Sequence, residues 1–188
     1  ELSVPVDEKD ISLLENIDYR KDKVNVVSLF SGAGGLDLGL ELAGLSSVVG
    51  ESKALEYFNS DKEKFNRYRS KSIFHTVYTN DMFKEANMSY KLNFPNHIIQ
   101  HEKDIRKVAH FPKCQMMIGG FPCPGFSEAG PRLIDDPRNF LYIHFIRALI
   151  QTQPEFFVAE NVKGMMPLGK GEVLNQIMAD FEASGYTV

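Results

Sequence analysis

The sequence contains no tryptophan and only two cysteines, Cys114 and Cys123. Two thiols cannot form a disulfide framework or a four-cysteine metal site. Free thiols in a reducing compartment are therefore expected. No run of about 18 apolar residues exists, so no membrane-spanning helix is expected. Positive charge is also scarce. Lys and Arg number 21 against 25 Asp and Glu, for a net charge of -4 and a pI of about 5.8. That excludes a whole-surface electrostatic grip on nucleic acid but not a local site. The first ten residues lack a basic, apolar secretion signal, and a cytoplasmic location follows as the expectation. No internal repeat or low-complexity stretch is present. The 188 residues are 43% hydrophobic and 24% charged, the balance of one globular domain with a real core.

Residues 24–30, Val-Asn-Val-Val-Ser-Leu-Phe, form a short β-branched run of the kind buried on both faces of a sheet. Further strands are predicted over 73–78, 97–100, 115–118 and 155–159, and 186–188 begins another. Helices are predicted from 36 to 43, with Gly44 as the C-terminal stop, over about 82–92, over 139–151, and over 171–184 with Gly185 closing it. Residues 1–23 are polar and acidic, with a weak helical pattern at Ile11, Leu13, Leu14 and Ile17. They read as an extension outside a main domain of 24–188. Residues 46–72 mix charges (Asp61-Lys62-Glu63-Lys64, Arg67, Arg69, Lys71) with Tyr57, Phe58, Phe65 and Tyr68. They read as an insertion with a solvated helical face, the alternative being a DNA-backbone or partner surface. Strands alternating with helices imply βαβ units and a mostly parallel sheet, an α/β fold.

Open parallel sheets bind ligands at the C-terminal ends of their strands, and the unusual residues fall there. Ser31-Gly32-Ala33-Gly34-Gly35 would let a ligand approach the backbone beside an electropositive helix start. A dinucleotide fingerprint would want glycine at 37, where Asp37 stands, and no phosphate-loop lysine follows. A nucleoside without a pyrophosphate fits better, although a simple tight turn stays open. Asp81 can accept hydrogen bonds from both ribose hydroxyls or cap the next helix. Met82 offers a polarisable contact for a purine face. Asp104-Ile105 could meet the adenine or merely cap a turn. Cys123 stands between Pro122 and Pro124, behind Gly119-Gly120-Phe121 and before Gly125-Phe126-Ser127, a frame that presents a nucleophile rather than packing one away. Cys114 reads as an inert buried thiol. Glu160, after Phe156-Phe157-Val158-Ala159, is expected to be partly desolvated, with a raised pKa suited to proton donation. A structural loop and a structural acid remain the alternatives.

Taken in order, these segments resemble the cytosine-5 DNA methyltransferases. Phe30-Ser31-Gly32-Ala33-Gly34-Gly35 is similar to that family's cofactor motif, Phe121-Pro122-Cys123-Pro124-Gly125-Phe126-Ser127 to its Pro-Cys loop, and Glu160-Asn161-Val162 to its Glu-Asn-Val motif. Asp136-Pro137-Arg138-Asn139-Phe140-Leu141 and Asn93-Phe94-Pro95-Asn96 resemble its connecting segments. The resemblance implies a Rossmann-like methyltransferase fold with helices on both faces of the sheet. It implies S-adenosylmethionine as donor and a cytosine flipped out of double-stranded DNA as acceptor. Cys123 would attack C6 and Glu160 would contact N3 and the exocyclic amine. Phe30, Ser31, Gly32, Ala33, Gly34, Gly35, Leu36, Asp81, Met82, Asp104, Ile105, Pro122 and Leu141 would line the cofactor pocket. Pro124, Ser127, Arg138 and Asn161 are candidates for contacts around the target base.

Three departures accompany the resemblance. Pro124 stands where the family often has Gln. The span from Phe30 to Asp81 is longer than in compact members. The family's later Gln-Arg-Arg-like motif, target-recognition domain and last cofactor segment have no counterpart before Val188. The chain is therefore expected to be an N-terminal part of a catalytic domain, inactive alone, associating with a complementary C-terminal polypeptide or with itself and serving in restriction-modification. The rival readings are a regulatory or split subunit that binds S-adenosylmethionine, an RNA cytosine-5 methyltransferase, and a nicotinamide-dependent oxidoreductase. Asp37 and the framed cysteine disfavour the last.

Overall fold

The computed structural model describes residues 4–122, 140–165 and 171–188. Its centre is β1 (Val24–Leu29), flanked by β2 (Phe74–Asp81) and β4 (Met116–Gly119), with β3 (Ile99–Glu102) and β5 (Phe156–Ala159) outside them. All four pairings are parallel and the order is β3-β2-β1-β4-β5. The β-branched run of β1 takes the middle because only a central strand is covered on both faces. Val26, Val27 and Leu29 have no exposed surface, and burying such a side chain stabilises by roughly 1.5–3 kcal/mol.

Period-two alternation along β1 assigns the two layers. Val27 and Leu29 face a core shared with α6 (Tyr142–Thr152) and α7 (Glu172–Ala183), including Phe145, Leu149, Ile177 and Phe181. Ser28 faces the other way and bonds Asp37 of α2 (Gly35–Val49). On that side α3 (Glu51–Phe58) and α4 (Lys62–Arg69) pack on α2 around Leu45, Ala54, Tyr57 and Phe65. Tyr90 and Phe94, on and just after α5 (Lys84–Asn93), stack beside them with ring centroids 4.0 Å apart.

Several sequence expectations change. Gly44 does not stop α2, which runs to Gly50 at φ +86°. A Cβ at Gly44 would lie 2.3 Å from Ser72 Oγ and 2.6 Å from Phe74, so this glycine serves close packing of helix on strand. β2 runs three residues beyond its expected end because Thr79, Asn80 and Asp81 keep pairing with β3. Residues 186–188 form no strand. Instead Tyr186 turns inward, its hydroxyl donating to the Pro154 carbonyl at 2.8 Å and its ring meeting Phe157 edge-on. The amino-terminal segment is not outside the core. It forms α1 (Glu8–Leu14), and Leu14 and Ile17 pack against the main core beneath the sheet.

Among the described residues no helix is long and apolar enough to cross a membrane.

Candidate functional site

Because all strands run parallel, the segments that follow them gather on one edge. After β1 the chain enters α2 on one face. After β4 it leads to α6 on the other. Between these neighbours lies the topological switch point, where open α/β sheets leave a crevice. Leu29 pairs with Gly119, so residues 30–35 and 120–122 leave the sheet side by side.

The glycine loop turns on three residues with left-handed backbone: Phe30 at φ +55°, Gly32 at +55° and Gly34 at +91°. A phenylalanine there costs about 1 kcal/mol or more. Strain of this kind collects at ligand sites. The loop is tied down by Gly34 N–H to Ser31 O at 2.9 Å and Ser31 N–H to Asn80 O at 3.2 Å. Gly32 and Gly35 face open space, since a Cβ on either would meet nothing within 4 Å. Gly34 is the reverse: its Cβ would lie 2.3 Å from Phe94. Ser31 Oγ is buried with no hydrogen-bond partner, an orphaned group inside a loop whose other side is clear. Ala33 is exposed and Leu36 half-buried.

Asp81 ends β2 directly beside this loop. Its Oδ2 accepts from Gly32 N–H at 2.9 Å and its Oδ1 from Phe83 N–H at 2.8 Å. Each oxygen keeps a lone pair for a ligand. Met82 and Phe83 are 51% and 63% exposed, an apolar shelf over the crevice. Asp104 begins a 3-10 turn, Ile105–Lys107, accepting from Arg106 N–H at 3.0 Å while the Arg106 guanidinium grips both carboxylate oxygens. That guanidinium holds its pKa below the ordinary value. Asp104 is thus a turn cap with an ion pair. Ile105 belongs to the main core at 4% exposure. Leu141 is buried and Pro122 exposed.

Asp37, which displaced the dinucleotide reading, is almost fully buried. It accepts from Ser28 Oγ and from Tyr90 Oη, each at 2.9 Å. Burial pushes its pKa up to about 6, against the pull of those two hydrogen bonds. It locks the start of α2 to β1 and α5, and so fixes the loop from behind.

At the other flank, Glu160 N–H donates to Gly119 O at 2.9 Å, extending the β4–β5 ladder. Its side chain reaches back over β4. A Cβ at Gly120 would lie 2.7 Å from Glu160 Oε2. Asn161 Nδ2 donates to the Phe121 carbonyl at 3.1 Å, holding the backbone that leads to Pro122. Glu160 and Asn161 therefore both act on residues 120–121, separated from Cys123 only by Pro122. Cys123, Pro124, Ser127 and Arg138 lie outside the described residues. The expected desolvation of Glu160 is not found: the residue is exposed. The cause is its strand. β5 is an edge with Phe156 66% and Val158 41% exposed, so an apolar approach does not amount to burial. Cys114, expected to be buried, is half-buried against the main core, and desolvation pushes its thiol up to about 12. Among the described residues no His, Cys, Asp or Glu cluster could hold a metal.

Sequence reasoning missed Asn80. Its side-chain amide donates to the carbonyls of His101 and Lys103 at 2.9 and 2.8 Å, and its carbonyl receives Ser31 N–H. The available signal was an amide near the end of a strand, next to a singled-out carboxylate.

Comparison with known proteins follows the same lines. Residues 24–188 match the family described as C-5 cytosine-specific DNA methylase. Type II methyltransferase M.BsuRI of Bacillus subtilis is 71% identical over 95% of the chain, and M.BspRI of Lysinibacillus sphaericus 64% over 93%, each match spanning 41% of the relative. A crystal structure described as a DNA modification methyltransferase encoded within a prophage (E. coli) superposes with a TM-score of 0.56 at 28% identity, covering 86% of this chain and 38% of that one. The chain thus spans about two-fifths of the length of these relatives.

Proposed function

The chain belongs to the C-5 cytosine-specific DNA methylase family, and on that premise we propose that it forms the cofactor-binding and nucleophile-bearing part of an enzyme that methylates C5 of cytosine in DNA within a restriction-modification system. The observation that carries this reading is the carboxylate of Glu160 lying over Gly120, on the segment that leads to Cys123, across the switch point from an open glycine loop.

S-adenosylmethionine, when bound, supplies an electrophilic methyl group on a sulfonium. The residues that fit it are the open Gly32 and Gly35, the unpartnered Ser31 hydroxyl, the free lone pairs of Asp81, and the exposed Met82 and Phe83. They offer a polar cradle for an amino-acid tail, acceptors for ribose hydroxyls and an apolar face for a purine. Asp104 serves from one side, steered by Arg106. The loop offers no lysine for a pyrophosphate, in keeping with a nucleoside ligand.

In the reaction we assign, the thiolate of Cys123 adds to C6 of a cytosine extruded from the duplex. The C5–C6 π pair moves to C5, which becomes a carbon nucleophile. Glu160 stabilises the adduct by hydrogen bonding at N3 and the exocyclic amine. Once C5 is alkylated, its proton leaves and the returning electron pair expels the thiolate. Asn161 keeps the Phe121 carbonyl, and with it the start of the cysteine segment, in place.

The β5 edge bears on turnover. Phe156, Val158, Val162 and Val188 are 41–66% exposed beside an open groove of about 480 Å³. An apolar edge of this kind calls for cover. We assign it to a complementary polypeptide carrying target recognition, without which this chain does not turn over. Trapping tests the whole reading. A duplex containing 5-fluorocytosine blocks proton loss from C5. Together with S-adenosylmethionine and the complementary polypeptide, the chain is expected to form a denaturation-resistant adduct, and Cys123→Ser none. An adduct that survives the serine substitution refutes the assignment.

A further inference from the structure

We propose that Asp10, on the amino-terminal helix, is a positioning residue for the adenosine end of the cofactor site. This rests on the cofactor reading above.

Asp10 is 2% exposed, on a helix that Leu14 and the following Ile17 already dock by apolar contact. A buried carboxylate is an expensive way to add adhesion, so its partners matter. Lys103 Nζ donates to both Asp10 oxygens, at 2.8 and 2.9 Å, and to Asp7 Oδ2 at 2.7 Å. His101 Nε2 lies 3.1 Å from Asp10 Oδ1, and His101 Nδ1 is 2.7 Å from Tyr78 Oη. Burial depresses the His101 pKa. The neutral ring that satisfies both contacts donates from Nε2 to Asp10 and accepts at Nδ1 from Tyr78.

These two Asp10 partners bracket the end of β3, one residue before Asp104. Their carbonyls, on His101 and Lys103, are the acceptors for the Asn80 amide. Asn80 in turn holds Ser31 through its own carbonyl and precedes Asp81. A single, largely buried chain of contacts thus runs from Asp10 through Lys103 and His101 to Asn80. It sets the spacing of the loops at 31, 81 and 104, the acceptors assigned to ribose and adenine. Without the Asp10 charge, Lys103 loses its deepest anchor and the Asp104 turn is free to shift.

The test is calorimetric titration of this chain with S-adenosylhomocysteine and, separately, with adenosine, at a temperature well below unfolding. Asp10→Asn keeps the shape and removes the charge. It is expected to weaken both ligands by about tenfold, the scale on which the outer partners of site residues are felt. Lys103→Gln, at a partly exposed position, is expected to weaken them likewise and stands in if Asp10→Asn does not fold. The control Ile177→Val lowers stability in α7, which packs by β5 at the opposite edge of the sheet from β3, and should leave both affinities unchanged. Wild-type affinity in a folded Asp10→Asn or Lys103→Gln variant overturns the proposal. So does an equal loss in the control. If the wild-type chain binds neither ligand, the cofactor reading itself fails and this inference falls with it.

Discussion

Gly32 and Gly34 look alike in sequence, yet they sit in opposite surroundings, and alanine should separate stability from binding. At Gly34 an added Cβ would lie 2.3 and 2.6 Å from two atoms of the Phe94 ring and 2.9 Å from Tyr90, at φ +91°. Neither ring can yield cheaply. Tyr90 is bonded to Asp37 and stacked on Phe94, and the Arg69 guanidinium sits 4.9 Å above the Phe94 ring centroid. Left-handed backbone costs an alanine about 1–2 kcal/mol and forced overpacking about 1–3 kcal/mol. Gly34→Ala should therefore lose about 2–5 kcal/mol, which is a drop of about 4–20 °C in Tm for a chain of this size. At Gly32 the backbone is left-handed too, at φ +55°, but nothing lies within 4 Å of the new methyl. Gly32→Ala should lose only about 1–2 kcal/mol, while its methyl intrudes where the ligand approaches and S-adenosylhomocysteine affinity falls more than about tenfold. Thermal unfolding and calorimetric titration of the two variants read both numbers. A Gly34→Ala protein as stable as wild type, or a Gly32→Ala protein that binds normally, refutes this account of the loop.

Asp37 makes a pH-dependent prediction of its own. Its folded pKa is about 6 against about 3.9 for an ordinary aspartate, so between about pH 4 and 6 the folded chain keeps a proton the unfolded chain has lost. Stability contributed by this site therefore falls as pH rises through that window, by about 3 kcal/mol in all. Asp37→Asn should remove that slope in urea titrations at pH 4.5 and 7, and an unchanged slope counts against the burial. His75 and His97 run the other way: their rings stack 4.4 Å apart and burial lowers both pKa values. The unfolded rings titrate near 6.5, so stability is complete above that pH and is lost as acid protonates the unfolded chain first. The His75→Gln/His97→Gln double variant should flatten the acid limb of the same titration. Finally, Arg69→Met should cost about 3 kcal/mol, the lower end for a buried pair, by stranding the half-buried Glu41 carboxylate, because Arg69 is its ion-pair partner and also bonds the Asn93 carbonyl. Glu41→Leu/Arg69→Met should recover most of that loss in denaturant midpoints, and failure to recover would show that the packing, not the charge, was decisive.

The parallel architecture was legible because its signals are local. A β-branched run needs two covered faces wherever it lies, and glycines clustered after such a run announce a turn before any partner is known. The five strands and the loops that follow them were found on that basis. Strand ends were placed less well: β2 runs three residues further and β3 lies two residues later than expected, because each lends the other hydrogen-bond partners, a fact neither segment carries alone. Gly44 failed for a related reason. Glycine signals either freedom or closeness, and only the approach of Ser72 and Phe74 decides which.

Glu160 and Asp10 show the same limit from two directions. Four apolar residues before Glu160 promised a dry carboxylate. Whether an apolar strand is dry depends on its neighbours, and β5 has one strand beside it and an open edge on the other side. Conversely, a polar and acidic leader around Asp10 promised solvent, because burial of an aspartate is unfavourable until its partners are known. Those partners, the Lys103 ammonium and the neutral His101 ring, lie more than ninety residues away along the chain. Composition ranks a carboxylate as a surface group, and the fold can reverse that rank only where a lysine and a neutral histidine already wait. The sequence therefore reads most reliably where a residue's preference concerns its own backbone, and least reliably where the preference depends on charge held elsewhere. The cofactor edge mixes both kinds: its glycines were found from sequence, and the network that aligns its acceptors was not.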